Sequence, residues 1–193
     1  MKPIFIILLF ASIPFLSIPQ NSEHESNVIY GDHHIYTIQT PNNWINDKEA
    51  ASTIGLTNFF YPLKDSKNEK KSYMYTNGYD KSSEKETLKT FMDADLKTFL
   101  KKYPTAKYKK VEIAVKAPIL DGVMLSFDNV PDRFKEETIY LETKETIIVF
   151  SFAAFNQSDY EMYRKIFDEE FVKSFTYRGN DPKPFLKYMK NKN

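Results

Sequence analysis

Apolar positions along this chain follow two rhythms, one with the period of a strand and one with the period of a helix. Residues 34–40 (His-Ile-Tyr-Thr-Ile-Gln-Thr) are rich in β-formers, and Gly31-Asp32 sets a turn from a short strand at 28–30. Residues 57–61 and 71–77 read as strands on either side of a charged turn at 65–70. Further strands are expected at 107–115, 122–128, 138–143 and 146–155, with a short one at 175–177. Lys144-Glu145 is short enough to join two of them as a hairpin. Residues 147–155 are apolar on both faces, which predicts a central strand covered from both sides.

The helical rhythm is clearest at 84–103, where Leu88, Phe91, Met92, Leu96, Phe99, Leu100 and Tyr103 form one stripe. Ser83 and Glu86 have capping-box spacing at its start, and Pro104 stops it. A second helix is expected from Ser158, with Glu161 in the capping position and Tyr160, Tyr163, Ile166, Phe167 and Phe171 as its stripe. A short helix fits 47–54, capped by Asp47 and ended by Gly55. Long strands, short links and two long helices predict an α+β fold: a mostly antiparallel sheet of about six to seven strands covered by the helices.

The N-terminus has a different layout. Lys2 is the only charge in the first 22 residues, and an apolar run at 4–18, broken by Pro14, leads into Gln20, Asn21, Ser22 and Glu23. This is the arrangement of a secretory signal peptide, and the run falls short of the ~20 residues of a spanning helix. The expected organisation is a leader at 1–19, one domain at 28–178 and a basic tail at 179–193. The expected location is secreted or periplasmic, with no stable membrane span after leader removal. An uncleaved anchor is the competing reading.

Composition narrows the function classes. The 27 Lys plus Arg nearly balance the 26 Asp plus Glu, so net charge makes no case for nucleic acid or an acidic membrane. Only Arg133, Arg164 and Arg178 are arginines, so the surface is not built for bidentate phosphate recognition. The absence of cysteine excludes disulfides, a thiol nucleophile and thiolate metal sites. With five glycines and no Gly-x-Ser-x-Gly, His-Glu-x-x-His, Walker or dinucleotide pattern, the sequence points to no catalytic set and no cofactor.

The segment Tyr36-Thr37-Ile38-Gln39-Thr40-Pro41-Asn42-Asn43-Trp44 resembles the strand-Pro-x-x-Trp opening of the PsbP-like superfamily, which includes PsbP, Mog-type and DcrB-type domains. The closing hairpin, central strand, aromatic helix and Val172-Lys173-Ser174-Phe175 are also similar to that family. The resemblance spans residues 28–178. It implies an αβα sandwich and a non-enzymatic binding or assembly role, and it carries over no functional residues.

Among candidate sites, Tyr73, Tyr75 and Tyr79 stand out, with Tyr73 and Tyr75 on one strand face and Tyr79 in a turn after Gly78. They read either as a contact surface or as half-buried packing under a helix. His33 and His34, near His24, could bind metal only if the backbone turns there; otherwise they mark a solvated hairpin end. Asp95 falls within the first helical stripe, as a pocket acid or as a stripe-edge residue reaching water or a lysine. Trp44 reads as a core plug, and Asn156-Gln157-Ser158 as a sequon coincident with a helix cap. The expected function is an exported binding or assembly domain of the cell envelope with a protein partner. The alternative is a small-ligand or carbohydrate-binding module using the tyrosine face. A flat aromatic strip would favour the first, a pocket with convergent polar groups the second.

Overall fold

A computed structural model describes residues 26–67, 71–113 and 122–190; the expected leader at 1–19 lies outside the described residues. In chain order the elements are β1 (Ser26–Tyr30), β2 (Ile35–Gln39), β3 (Trp44–Asn46), α1 (Lys48–Thr53), β4 (Phe59–Pro62), β5 (Tyr73–Asp80), α2 (Leu88–Lys102), β6 (Lys107–Val111), β7 (Gly122–Asp128), β8 (Lys135–Glu142), β9 (Thr146–Ala154), α3 (Gln157–Ile166), β10 (Thr176–Gly179) and α4 (Lys183–Lys190). Seven strands form one antiparallel sheet in the order β3-β4-β5-β9-β8-β7-β6, and β1-β2-β10 form a separate three-stranded sheet. The fold class is therefore α+β, as expected. The run of nine apolar and small residues in β9 lies at the centre of the large sheet, buried at every position.

Strand alternation sorts the core onto two faces. On one face Met74, Met124, Ile139, Phe150 and Phe152 meet Tyr163 and Phe167 from the α3 region and Ile29, Tyr36 and Ile38 from the small sheet. This is the main core. On the other face Leu125, Phe127, Tyr140, Ile147 and Val149 meet the stripe of α2. The stripe packs as expected, yet no residue of α2 is fully buried, because the helix lies on the outside of the sheet with nothing above it.

Several expectations need correction. The two long helices become one α-helix of fifteen residues and one of ten. The second continues as a π turn over Phe167–Phe171 and a 3-10 turn over Val172–Ser174, a stretch that buries Phe167, Phe171 and Val172. Thr87 and Thr90, not Ser83 and Glu86, form the capping box of α2. Asn156, two residues before the expected Ser158, caps α3 by accepting from the Asp159 N–H. The short helix α1 has the cap expected at Asp47, and Gly55 after it takes φ 73°, the left-handed conformation that ends helices. The strand β3 adds an element that the sequence pattern does not show, and α4 forms within the segment expected as a basic tail. Trp44 is buried, edge-on to Tyr163 with ring centroids 5.1 Å apart, so it plugs the core as expected. Among the described residues no helix is long and apolar enough to cross a membrane.

Phe167 is fully buried among Phe152, Phe171 and the Arg164 guanidinium, whereas Phe91 of α2 is half-buried. We expect Phe167→Ala to cost about 3–5 kcal/mol in chemical denaturation and Phe91→Ala clearly less. Equal losses would contradict this assignment of inner and outer faces.

Candidate functional site

Alternation along β5 places Tyr73, Tyr75 and Tyr79 on the α2 side of the sheet; the shared face of Tyr73 and Tyr75 was expected, that of Tyr79 was not. Tyr79 does not sit in a turn: Gly78 and Tyr79 are both inside β5. Gly78 serves the opposite face, where a Cβ would stand 2.4 Å from Nε2 of His34. Tyr79 packs against Phe91 at the start of α2, with ring centroids 5.1 Å apart. Tyr73 and Tyr75 stack on each other at 6.4 Å, and both are half-buried. The structure thus pairs Tyr73 with Tyr75 and assigns Tyr79 to the helix contact.

Beside this pair, β4 presents Phe59 and Tyr61 on the same face. Phe59 lies opposite Tyr75 in register, 5.0 Å from the Tyr73 ring and 6.1 Å from the Tyr61 ring. These rings line a cleft of about 370 Å³ together with Asp47, Lys71, Arg133, Ala153 and Phe155. The Lys71 ammonium sits 3.9 Å from the Tyr61 ring centroid, a cation–π contact. Asp47 stays ionised at the rim: the Ala50 N–H and then the Tyr61 hydroxyl hold its carboxyl below the usual range. The cleft therefore offers ring faces together with the Lys71 ammonium, the Arg133 side chain and the carboxylates of Asp47 and Asp132 at its lining.

The wall between this cleft and α2 is a buried ionic cluster. Glu136 is 5% exposed and pairs with Arg133. The guanidinium also donates to the Tyr73 hydroxyl at 2.8 Å and the Tyr103 hydroxyl at 3.0 Å, tying β5 to the end of α2. Burial pushes the Glu136 carboxyl above its ordinary range, with Arg133 only partly offsetting it. Burial also raises the hydroxyls of Tyr73 and Tyr75, and the Tyr75 hydroxyl is bonded to Ser151. The hydroxyls of Tyr73 and Tyr75 thus point inward to internal partners, and only their ring faces are on offer. Asp95 is exposed at the stripe edge and accepts from the Tyr140 hydroxyl at 2.7 Å, not from water or a lysine alone. Sequence reading missed Phe59, Tyr61, Arg133 and Glu136. The available signal was the rarity of arginine, with one of three lying three residues before a glutamate at the start of a strand.

His33 and His34 are held apart, and His24 lies outside the described residues. His33 is exposed, 3.5 Å from Glu145, while His34 is 3% exposed and turned into the core. The expected solvated hairpin end therefore holds for His33 and fails for His34. The Nδ1 of His34 lies 2.7 Å from Asp80 Oδ1, and Thr146 Oγ1 lies 3.0 Å from the same oxygen. The other oxygen of Asp80 accepts the N–H groups of Asp32 and His33. The cluster rivets the small sheet to β5 and β9. Among the described residues no three His, Asp or Glu side chains converge as metal ligands.

No family model and no curated protein matches the chain. Among solved structures it is similar to the solution structure of cyanobacterial PsbP (CyanoP) from Synechocystis sp. PCC 6803, at 15% identity and a TM-score of 0.53 over 86% of this chain and 99% of that one. The fold is PsbP-like, as the sequence resemblance implied.

Two outcomes follow from the ionic clusters. Arg133→Ala leaves Glu136 buried without its partner, and we expect a loss of about 3–5 kcal/mol, most of it regained in the double variant Arg133→Met, Glu136→Leu. Denaturation of the single and double variants tests this. For Asp80, burial raises the carboxyl pKa, but the bonds from His34, Thr146 and the His33 N–H outweigh it, leaving the folded value below the unfolded one. Its contribution is therefore present above the ordinary carboxylate pKa and disappears as pH falls through the depressed folded value. In acid titration of stability, Asp80→Asn should be less stable than the native chain at neutral pH, and the two should converge as the solution becomes acidic. A constant gap at all pH values would remove Asp80 from this role.

Proposed function

We propose that this protein is an exported, non-enzymatic binding or assembly domain of the cell envelope, and that it engages a protein partner at the Phe59–Tyr61–Tyr73 cleft. The observation that carries the reading is the uneven cover of the large sheet. One face is sealed by α3 and the small sheet. The other is covered by α2 only over β7, β8, β9 and the Tyr79 end of β5, leaving the aromatic end of β4 and β5 lining a cleft. Rings that are already fixed lose little freedom on binding, and aromatic residues with arginine dominate contact energies. The PsbP-like fold supports the reading, since that resemblance implies a binding or assembly role. The leader-like residues 1–19 support export.

A small ligand, such as a carbohydrate, is the second reading. Its support is that Asp47 and Lys71 converge on the rings from one side of a cleft of about 370 Å³, near the lower size of ligand sites. Phe59 separates the two because it is half-buried and has no hydrogen-bonding role. Capture of envelope proteins by the tagged chain, followed by mass spectrometry, should fall about tenfold or more in Phe59→Ala. The melting temperature should change only modestly. Undiminished capture in the variant would reject the cleft as the protein-binding site, and saturable binding of an oligosaccharide lost in the same variant would favour the second reading.

A further inference from the structure

The near-neutral charge of the whole chain conceals a strong local imbalance. Residues 97–110 hold six lysines, Lys97, Lys101, Lys102, Lys107, Lys109 and Lys110, and no acidic residue. Removing these six from the 27 basic residues leaves 21 against 26 acids, so the remainder is net negative. The fold places five of them, all but Lys102, along the β6 margin and the outer side of α2. Lys107, Lys109 and Lys110 lie on β6, the edge strand of the large sheet, and are exposed. Lys97 and Lys101 stand one turn apart on α2, exposed and away from the packing stripe, while Lys102 lies on the flank of the helix that faces Tyr103, its ammonium 5.1 Å from that ring centroid.

None of the six forms an ion pair among the described residues. The neighbouring carboxylates are engaged elsewhere: Asp93 with Lys89 at 2.5 Å, Asp95 with Tyr140 at 2.7 Å, and Asp128 with Lys135 at 3.2 Å. Among the described residues the exposed acids adjoining the patch are Asp93 and Asp95 on α2 and Glu112 just past the end of β6. Lysines on an edge strand also discourage strand pairing, but that role does not account for the lysines of α2.

The geometry points to this margin as a docking surface for an anionic lipid bilayer. The charges spread along roughly 16 Å of β6 and across α2 and do not converge on a pocket. A bilayer presents negative charge everywhere and needs no matched geometry. All six groups are ammonium ions, compact and without the fork that reads phosphate bidentately, which disfavours a nucleic acid. Lysine is depleted in the cores of protein interfaces, which disfavours an acidic protein. Tyr108, 49% exposed, lies with Lys110 on the Phe127 side of β6, while alternation turns Lys107 and Lys109 to the Val111 side of the same edge. An amphipathic ring among lysines suits the headgroup layer. The site is separate from the aromatic cleft, so docking here leaves the cleft free for a partner.

Sedimentation of the full chain with vesicles tests the assignment. Binding should be tighter to phosphatidylcholine vesicles containing phosphatidylglycerol than to phosphatidylcholine alone, and added salt should weaken it. The triple variant Lys107→Glu, Lys109→Glu, Lys110→Glu should lose roughly 100-fold or more of the affinity for anionic vesicles at an unchanged melting temperature. Lys144→Glu, Lys165→Glu, Lys173→Glu carries the same change in net charge elsewhere and should lose far less. If the β6 triple variant does not fold, Lys97→Glu, Lys101→Glu on α2 provides the same readout. Equal binding to both kinds of vesicle, equal loss in the two triple variants, or binding to polyglutamate with no preference for anionic vesicles would each overturn the proposal.

Discussion

Two adjacent carboxylates in one strand hold the layers of this protein together. Glu136 and Glu137 are consecutive in β8, so they point to opposite faces, and they are 5% and 3% exposed. A buried carboxylate is tolerable only with a partner, and each has an arginine. Arg133 meets Glu136 on the α2 side and links to Tyr103 at the end of that helix. Arg164 of α3 meets Glu137 on the other side, together with Asp168, and Tyr160 donates to Glu137 at 2.8 Å. Two of the three arginines in the chain are spent this way. Such pairs add little net stability over apolar residues of the same size, but removing one member is costly, so they fix where the helices sit.

That arrangement explains why the two faces differ in use. On the α3 side the ionic pair is embedded in a continuous apolar layer of Phe150, Phe152, Phe167 and Phe171, which closes over it. On the α2 side the cluster forms a border. Apolar packing under α2 lies on one side of it, and the ring-lined cleft of β4 and β5 on the other. Arg133 thus belongs to both scaffold and site: it orients Tyr73, whose face forms part of the cleft, while holding the end of the helix. A wall rigid enough to place ring faces is what a preorganised contact surface requires.

Much of the fold was legible in the sequence because its strongest signals are local. Residues 122–128 match β7 as drawn, and the doubly apolar run at 146–155 is the central β9. The Asp47 cap and Gly55 stop behaved as their side-chain chemistry dictates. What escaped depends on partners distant in sequence. The polar segment Lys135-Glu136-Glu137 reads as a loop until Arg133 and Arg164 neutralise it inside the sheet. The three residues of β3 are too few to show a period and exist as a strand because β4 offers them an edge. The shared face of Tyr73 and Tyr75 follows from their spacing, but the extension of β5 through Gly78 to Tyr79, and which ring the helix covers, depend on β9 and on where α2 crosses the sheet.

The imidazole of His34 occupies space that side chains at Gly31 and Gly78 would otherwise fill: a Cβ at either would come within 2.4 Å of the ring. The three positions therefore share one volume. Enlarging either glycine is compatible with the fold only when residue 34 shrinks, and shrinking residue 34 alone leaves a hole facing Tyr36, whose ring centroid lies 5.8 Å away. Their substitutions are non-additive in the strict thermodynamic sense. Each member is thus confined by the present state of the others, and Gly31 is confined further by Asp80, whose Oδ2 would stand 2.8 Å from its added Cβ.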